Sequence, residues 1–338
     1  MGYKKIFFSL LFVAALAAVL LFWIFDQKKP EEKTISLPEP VPTEEMIEKY
    51  YPDTIPEMSE KNYSGSDLKL GKILEDLPEY TRYEISYKSE GFTISGALNI
   101  PNRDGTFPVL ILNHGYYNPR TYDVGEGLSR EQDFFAKNGY AVLSTDYRDH
   151  AKSDVDPKND VRPRSGYVED SINAVNAIKE AKLESLDTNT IGMLGHSMGG
   201  GVTLNVMVTK PDTAKAYALL APINSDYKVN FEKWVSAEWP ETAQNFYNIY
   251  GKYEENPDVW EKLSAKNYFS RISSPIMLHQ GTADREVPVE WSRELETLLK
   301  KEGKEITYFE YPGEDHSFIK AQDLAMQRTL DFFDNILK

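Results

Sequence analysis

The sequence predicts an α/β fold with a mostly parallel, doubly wound sheet and a helical lid insertion. Three observations support this prediction. Strand and helix signals alternate from about residue 80 onward. Most predicted strands are short, uninterrupted apolar runs, which is typical of strands with helices on both faces. The segment 224–270 interrupts the alternation between two predicted strands.

The predicted elements follow one another in a regular order. Alternating apolar residues in 83–88 and 92–100, joined at Glu90-Gly91, indicate an antiparallel hairpin that opens the domain. The later predicted strands are Pro108–Asn113, Tyr140–Asp146, Thr190–Leu194, Lys215–Ala221, Pro275–His279 and Glu305–Tyr311. The predicted helices cover residues 127–137, 168–182, 198–209, 289–302 and 317–337.

Composition limits the classes of function. The chain has 338 residues and 41% hydrophobic residues, which is enough for one large domain with a tail. Its formal net charge of -15, with no basic cluster beyond the N-terminus, argues against nucleic-acid binding. Because no cysteine is present, disulfides, thiolate metal ligands and a cysteine nucleophile are excluded.

The N-terminus carries an apolar run of membrane-spanning length. Lys4 and Lys5 precede the run, which extends from Ile6 to Phe25. A helix of about 20 apolar residues spans the hydrocarbon core, whereas the apolar region of a cleaved signal peptide is usually about 7 to 15 residues long. We therefore predict that residues 1–27 form an uncleaved transmembrane signal-anchor with the folded domain outside the cytoplasm; a long cleaved signal is the alternative.

Residues 28–79 are predicted to tether and connect the anchor to a domain that covers residues 80–338. Six prolines and many glutamates lie between residues 27 and 65, a composition typical of an extended, semi-rigid spacer. These charges are interpreted as solvated rather than as a binding motif.

Gly195-His196-Ser197-Met198-Gly199 has the G-x-S-x-G spacing of a nucleophile elbow. In an elbow, a sharp turn between a strand and a helix exposes the serine hydroxyl above the sheet. The motif by itself is weak, but here an apolar strand precedes it and a helix is predicted to follow it. Ser197 is therefore the predicted nucleophile, and the amide of Met198, at the helix N-terminus, is a predicted oxyanion donor.

A serine nucleophile needs a base and a carboxylate that orients the base. His316 lies in a loop after the last predicted strand, and Asp284 follows the preceding strand directly. Ser197, Asp284 and His316 are therefore predicted to form a triad in this chain order. Asp315, Asp146 or Glu286 could supply the carboxylate instead.

The second oxyanion donor is expected in the turn after the strand that ends at Asn113. The amide of Tyr116 is the candidate, with Tyr117 or a tyrosine hydroxyl as the fallback. The histidine spacing contains no H-E-x-x-H pattern, so no metal and no other cofactor is expected.

Five motifs together resemble those of an α/β-hydrolase. They are Asn113-His114-Gly115-Tyr116, Asp146-Tyr147-Arg148, Gly195-His196-Ser197-Met198-Gly199-Gly200, His279-Gln280-Gly281-Thr282-Ala283-Asp284 and Asp315-His316. More narrowly, residues 80–338 resemble the catalytic domain of the prolyl oligopeptidase family of serine peptidases and their esterase relatives. Ser-Pro before the strand that carries His279, and Val287-Pro288 after the acid, are further similarities.

The chain departs from the family pattern at two places. Tyr116 stands where relatives often have a second glycine, which affects the oxyanion turn. Arg148-Asp149-His150-Ala151 stands where many relatives have Arg-Gly-His-Gly, and this change is expected to affect only a turn.

The aromatic residues of the lid, 224–270, are predicted either to line a pocket over Ser197 or to form the core of the insertion itself. Oligopeptidase relatives carry a β-propeller, and even four blades would need roughly 160 residues, more than precede Tyr80. We therefore predict a membrane-tethered serine hydrolase that prefers small-molecule esters. A serine peptidase, or a catalytically silent binding module on the same fold, is the alternative.

Overall fold

The computed structural model describes residues 53–338. The predicted signal-anchor, and the predicted tether as far as residue 52, lie outside these described residues. Within residues 53–338, every helix is too short or too polar to cross a lipid bilayer.

The described chain is organised around one nine-stranded sheet. Its strands are β1 Ser66–Asp76, β2 Tyr80–Ser89, β3 Phe92–Pro101, β4 Phe107–Asn113, β5 Ala141–Thr145, β6 Leu186–His196, β7 Ala216–Leu220, β8 Ile276–Gly281 and β9 Ile306–Tyr311. They lie in the order β1-β2-β3-β5-β4-β6-β7-β8-β9. The first three strands and β5 pair antiparallel, and every pair from β5 onward across the sheet is parallel. The predicted α/β fold with a mostly parallel sheet is confirmed, as is the hairpin at Glu90-Gly91.

Helices cover both faces of the sheet. They are α1 Ile55–Glu60, α2 Ser129–Lys137, α3 Ser165–Ala181, α4 Met198–Thr209, α5 Tyr227–Asn230, α6 Pro240–Tyr250, α7 Pro257–Leu263, α8 Val289–Lys301 and α9 Gln322–Leu337. Within β4, Val109 and Ile111 pack into the core shared with α3 and α4, while Leu110 and Leu112 pack into the core shared with α2 and α9. Because successive side chains of a strand point to opposite faces, this alternation explains why the strand reads as a continuous apolar run.

The fold begins earlier than the sequence indicates. Residues 53–79 are predicted to be tether and connector, but α1 and β1 lie there. Ile55 and Met58 of α1 are buried in the core, and β1 pairs with β2 at the edge of the sheet. Most β1 side chains are exposed, so backbone pairing holds this strand and its sequence shows no apolar alternation.

The turn 149–151 has a strained backbone. Asp149 has a φ of 71° and Ala151 a φ of 49°, so two residues with a Cβ occupy the left-handed region that favours glycine. The side chain of Asp149 offsets part of this cost, because it accepts hydrogen bonds from the Asp156 amide (2.7 Å) and Asn159 Nδ2 (2.6 Å). Ala151 has no polar side-chain atom, so no side-chain hydrogen bond offsets the cost of its left-handed backbone.

Replacing Ala151 with glycine is expected to raise the free energy of unfolding by about 1 kcal/mol, because a left-handed alanine costs roughly 1–2 kcal/mol and the unfolded-state entropy of glycine cancels part of the gain. Urea denaturation of the two proteins measures the difference. Asp149→Gly is the matched control and should not stabilise, since it removes both hydrogen bonds. A destabilised Ala151→Gly variant would contradict the interpretation.

Candidate active site

Ser197 lies in the turn between the end of β6 and the start of α4. Its backbone has a φ of 56° and a ψ of −120°, a strained conformation for a residue with a side chain. The flanking glycines allow the close packing of this turn: a Cβ on Gly199 would collide with the backbone of Asn113, and one on Gly195 with Thr203. The local structure is therefore the strand-turn-helix arrangement that the G-x-S-x-G motif predicts.

The structure brings His316 and Asp284 into direct contact. His316 Nδ1 lies 2.8 Å from Asp284 Oδ2. The other carboxylate oxygen of Asp284 accepts hydrogen bonds from the amides of Glu286 and Val287, both at 2.9 Å. Burial favours the neutral acid, but the hydrogen bonds from His316 and these amides outweigh it, so the pKa of Asp284 lies below its ordinary value. Asp284 is therefore an anion at neutral pH.

The other carboxylates considered from the sequence lie elsewhere or face the wrong nitrogen. Asp146 accepts hydrogen bonds from Ser95 Oγ (2.6 Å) and the Gly125 amide (2.7 Å), and burial raises its pKa to about 7. The Asp315 side chain accepts the Ser317 amide at 2.9 Å. Glu286 is exposed, and its Oε2 lies 3.6 Å from Nε2 of His316, the nitrogen that a serine hydroxyl would need.

His196 supports the backbone of His316. Its Nε2 lies 3.0 Å from the His316 carbonyl oxygen, and their rings lie 4.6 Å apart. Because a carbonyl only accepts, Nε2 must carry the proton. Burial, followed by the nearby His316, lowers the pKa of His196 to about 4, so it stays neutral at physiological pH. The sequence did not assign this positioning role, although His196 adjoins the nucleophile in the chain.

The two predicted oxyanion donors adjoin Ser197. Met198 is the first residue of α4, where backbone amides have no partner within the helix. Tyr116 follows Gly115, and a Cβ on Gly115 would lie only 3.3 Å from that of Ser197. His114 is buried beneath this turn and packs against the ring of Tyr122 at 4.7 Å. The amide of Tyr116 is thus carried on a loop that contacts the nucleophile.

One cavity of about 580 Å³ joins these groups. Ser197, Met198, Tyr116 and His316 line it, together with residues of the lid. Asp284 supports His316 from behind through its Nδ1. The structure therefore brings together all five sequence-predicted site residues.

The lid aromatics divide between the two predicted roles. Phe231, Phe246, Tyr250 and Trp260 pack into a separate lid core. Trp234 and Trp239 lie outside that core and line the cavity, which Phe231 also lines. Trp239, 40% exposed, lies 5.8 Å from the ring of Tyr116, which is 53% exposed. These two rings form an aromatic pair between the oxyanion loop and the lid.

The sequence did not identify Arg164 as a cavity residue. It lies just before α3 and lines the cavity, with its Nη1 2.8 Å from the Met198 sulfur. The available signal was the pair of cations in Arg162-Pro163-Arg164, directly ahead of a predicted helix, in a chain of net charge -15.

The chain resembles known proteins in both sequence and fold. Residues 126–338 match the model of the prolyl oligopeptidase family. The uncharacterized peptidase YuxL of Bacillus subtilis is 25% identical over 248 residues, covering 70% of this chain and 36% of the relative. Esterase EstD of Thermotoga maritima is 28% identical over 252 residues, covering 65% of this chain and 58% of the relative. The chain thus spans about a third and about three-fifths of these two proteins.

Among solved structures, acetyl xylan esterase 1 from a Thermoanaerobacterium species superposes with a TM-score of 0.63 at 19% identity. The match covers 86% of this chain and 94% of that chain. At this identity the match shows a common fold.

Proposed function

Since the chain belongs to the prolyl oligopeptidase family and is a serine hydrolase, we propose that it cleaves small-molecule esters through an acyl-enzyme formed on Ser197. The observation that carries the proposal is the contact between His316 Nδ1 and Asp284 beside a cavity that Ser197 also lines. No cofactor is required for this chemistry.

The proposed reaction has two steps. Ser197 Oγ attacks the ester carbonyl while His316 Nε2 takes its proton, and Asp284 keeps the other ring proton on Nδ1. The amides of Met198 and Tyr116 donate to the oxyanion. The same proton is delivered to the departing alcohol, which leaves the acyl group on Ser197. Water then attacks this acyl-enzyme with His316 again as base, and the acid product is released.

Three considerations favour esters over peptides. An alkoxide leaves without the full protonation that an amine requires, so an accessible serine turns over esters readily. At the cavity, Tyr116 and Trp239 are partly exposed, which suits access by a small substrate. Esterase relatives such as EstD support the same assignment. Peptidase activity remains the second candidate, because YuxL is named a peptidase.

A comparison of substrates, with an active-site probe, tests the proposal. We expect a fluorophosphonate probe to label the wild type but not Ser197→Ala, and kcat/KM to be higher for nitrophenyl acetate or butyrate than for aminoacyl or prolyl arylamides. Absence of labelling in folded wild type would support a silent binding module. Efficient arylamide cleavage, with esters cleaved only in proportion to their intrinsic reactivity, would favour the peptidase.

We also propose that residues 6–25 anchor the enzyme in a membrane with the domain outside the cytoplasm. The length and apolarity of this run support the proposal. Cell fractionation should find the full chain in membranes, and deletion of residues 1–28 should release an equally active protein. A membrane-bound deletion variant would contradict the anchor.

A further inference from the structure

Arg164 carries a positive charge into the cavity that Ser197 lines. Its side chain is partly buried, and its Nη1 lies 2.8 Å from the sulfur of Met198. The path from the Ser197 Cα to this nitrogen runs through the Met198 Cα, about 3.80 Å away, and then along the Met198 side chain to its sulfur. With the final contact included, the guanidinium lies no more than about 11 Å from the Ser197 Cα. A group bound by Arg164 therefore fits on the same small molecule as the scissile ester.

The surroundings of Arg164 differ from those of its neighbour Arg162. Arg162 is neutralised by Asp53 at 2.6 Å and Glu169 at 3.1 Å. The charge of Arg164 acts on Tyr167, Tyr227 and His150, and none of these three side chains carries a carboxylate. Within residues 53–338, Arg164 forms no ion pair. A guanidinium that lines the cavity without a counter-ion from the protein is available to pair with an anionic group of a ligand.

The other charged residues of the cavity differ in how exposed they are to solvent. Lys233 is partly buried against the rings of Trp234 and Trp291, at 5.5 and 5.8 Å. The two acids, Glu238 and Glu286, are exposed, as is Arg285. The two partly buried charges, on Arg164 and Lys233, are therefore both positive, while the exposed part of the cavity carries both signs. This arrangement favours an anion inside.

We propose that Arg164 binds a carboxylate of the substrate, so that the enzyme selects anionic esters over neutral ones. This inference rests on the proposed ester hydrolysis at Ser197. A guanidinium matches a carboxylate with two parallel N–H donors, which makes Arg164 a specificity residue rather than a general source of positive potential.

Two pairs of substrates test where the carboxylate lies. A comparison of mono-4-nitrophenyl adipate with 4-nitrophenyl hexanoate tests for a carboxylate on the acyl side. A comparison of 4-acetoxybenzoate with its methyl ester tests for a carboxylate on the leaving group. In at least one pair, we expect the wild type to have a higher kcat/KM for the anionic substrate, mainly through a lower KM. Arg164→Gln should reduce that preference roughly 10- to 100-fold, the range for a hydrogen-bonded charge.

Two further variants separate a specific contact from net charge. Arg164→Lys keeps the charge but loses the paired donors, so it should restore only part of the preference. Arg285→Gln removes one positive charge from an exposed position of the same cavity and should change the preference less than threefold. An equal loss in Arg285→Gln and Arg164→Gln would overturn the specific role of Arg164.

The wild type alone also decides the matter if Arg164→Gln fails to fold. Wild type that hydrolyses the neutral esters but shows no preference in either pair overturns this inference and leaves the proposed function intact. Wild type that hydrolyses none of the four esters overturns the proposed function itself.

Discussion

Replacing Asp284 with asparagine should lower kcat for ester hydrolysis by about 10⁴-fold, as expected when the base is held in the wrong tautomer. One carboxylate oxygen accepts the amides of Glu286 and Val287, which can only donate. The other oxygen faces His316 Nδ1 and accepts from one further donor, Gln280 Nε2, at 3.0 Å. Because the two backbone amides outnumber that single side-chain donor, the asparagine oxygen stays on their side, and its NH₂ group faces His316 Nδ1. That nitrogen must then accept, so the ring proton moves to Nε2, which can no longer take the proton of Ser197.

Steady-state kinetics on nitrophenyl butyrate measure this effect, and circular dichroism checks that the variant is folded. Glu286→Gln is the matched control, because the exposed Glu286 carboxylate lies 3.6 Å from the other ring nitrogen. We expect the control to change kcat less than tenfold. A larger loss in Glu286→Gln than in Asp284→Asn would mean that the acid of the triad is wrongly assigned.

Replacing Arg148 with methionine should lower the free energy of unfolding by about 3–5 kcal/mol, the cost of removing one partner from a buried ionic network. The Arg148 side chain is fully buried and pairs with Asp156 at 3.0 Å and with Glu169 and Asp170 at 2.9 Å. Arg162 also contacts Asp156 and Glu169, but in the described structure it is not paired with Asp170. The substitution would therefore leave the buried Asp170 carboxylate without its cation.

Denaturant unfolding of the purified proteins, followed by tryptophan fluorescence, measures this loss. Arg293→Met provides a surface comparison, because Arg293 pairs with Glu310 at 2.7 Å while its side chain is 52% exposed. An exposed pair contributes only about 0–1 kcal/mol, so this variant should be nearly as stable as the wild type. Similar losses in both variants would argue against a special role for the buried network.

Local pattern was enough to predict most strands and helices. Burial on both faces favours apolar side chains on both sides of a strand, and this pattern is visible without a structure, as in β4 up to Leu112 and in β7. The start of the fold was not predictable in this way. Strand β1 is held by backbone hydrogen bonds to β2, and such bonds do not constrain which side chains the strand carries.

The sequence by itself determined the fold class, the family resemblance and the position of the nucleophile elbow, because each depends on residues close together in the chain. Only the tertiary structure decided which carboxylate contacts His316 Nδ1, since Asp284, Asp315 and Glu286 are all near it in sequence or chain order. The tertiary structure was also needed to distinguish the two arginines. Arg148 is neutralised by carboxylates inside the protein, whereas Arg164 has no counter-ion among the described residues. The physical reason is that ion pairing depends on distances of a few ångströms between side chains remote in sequence.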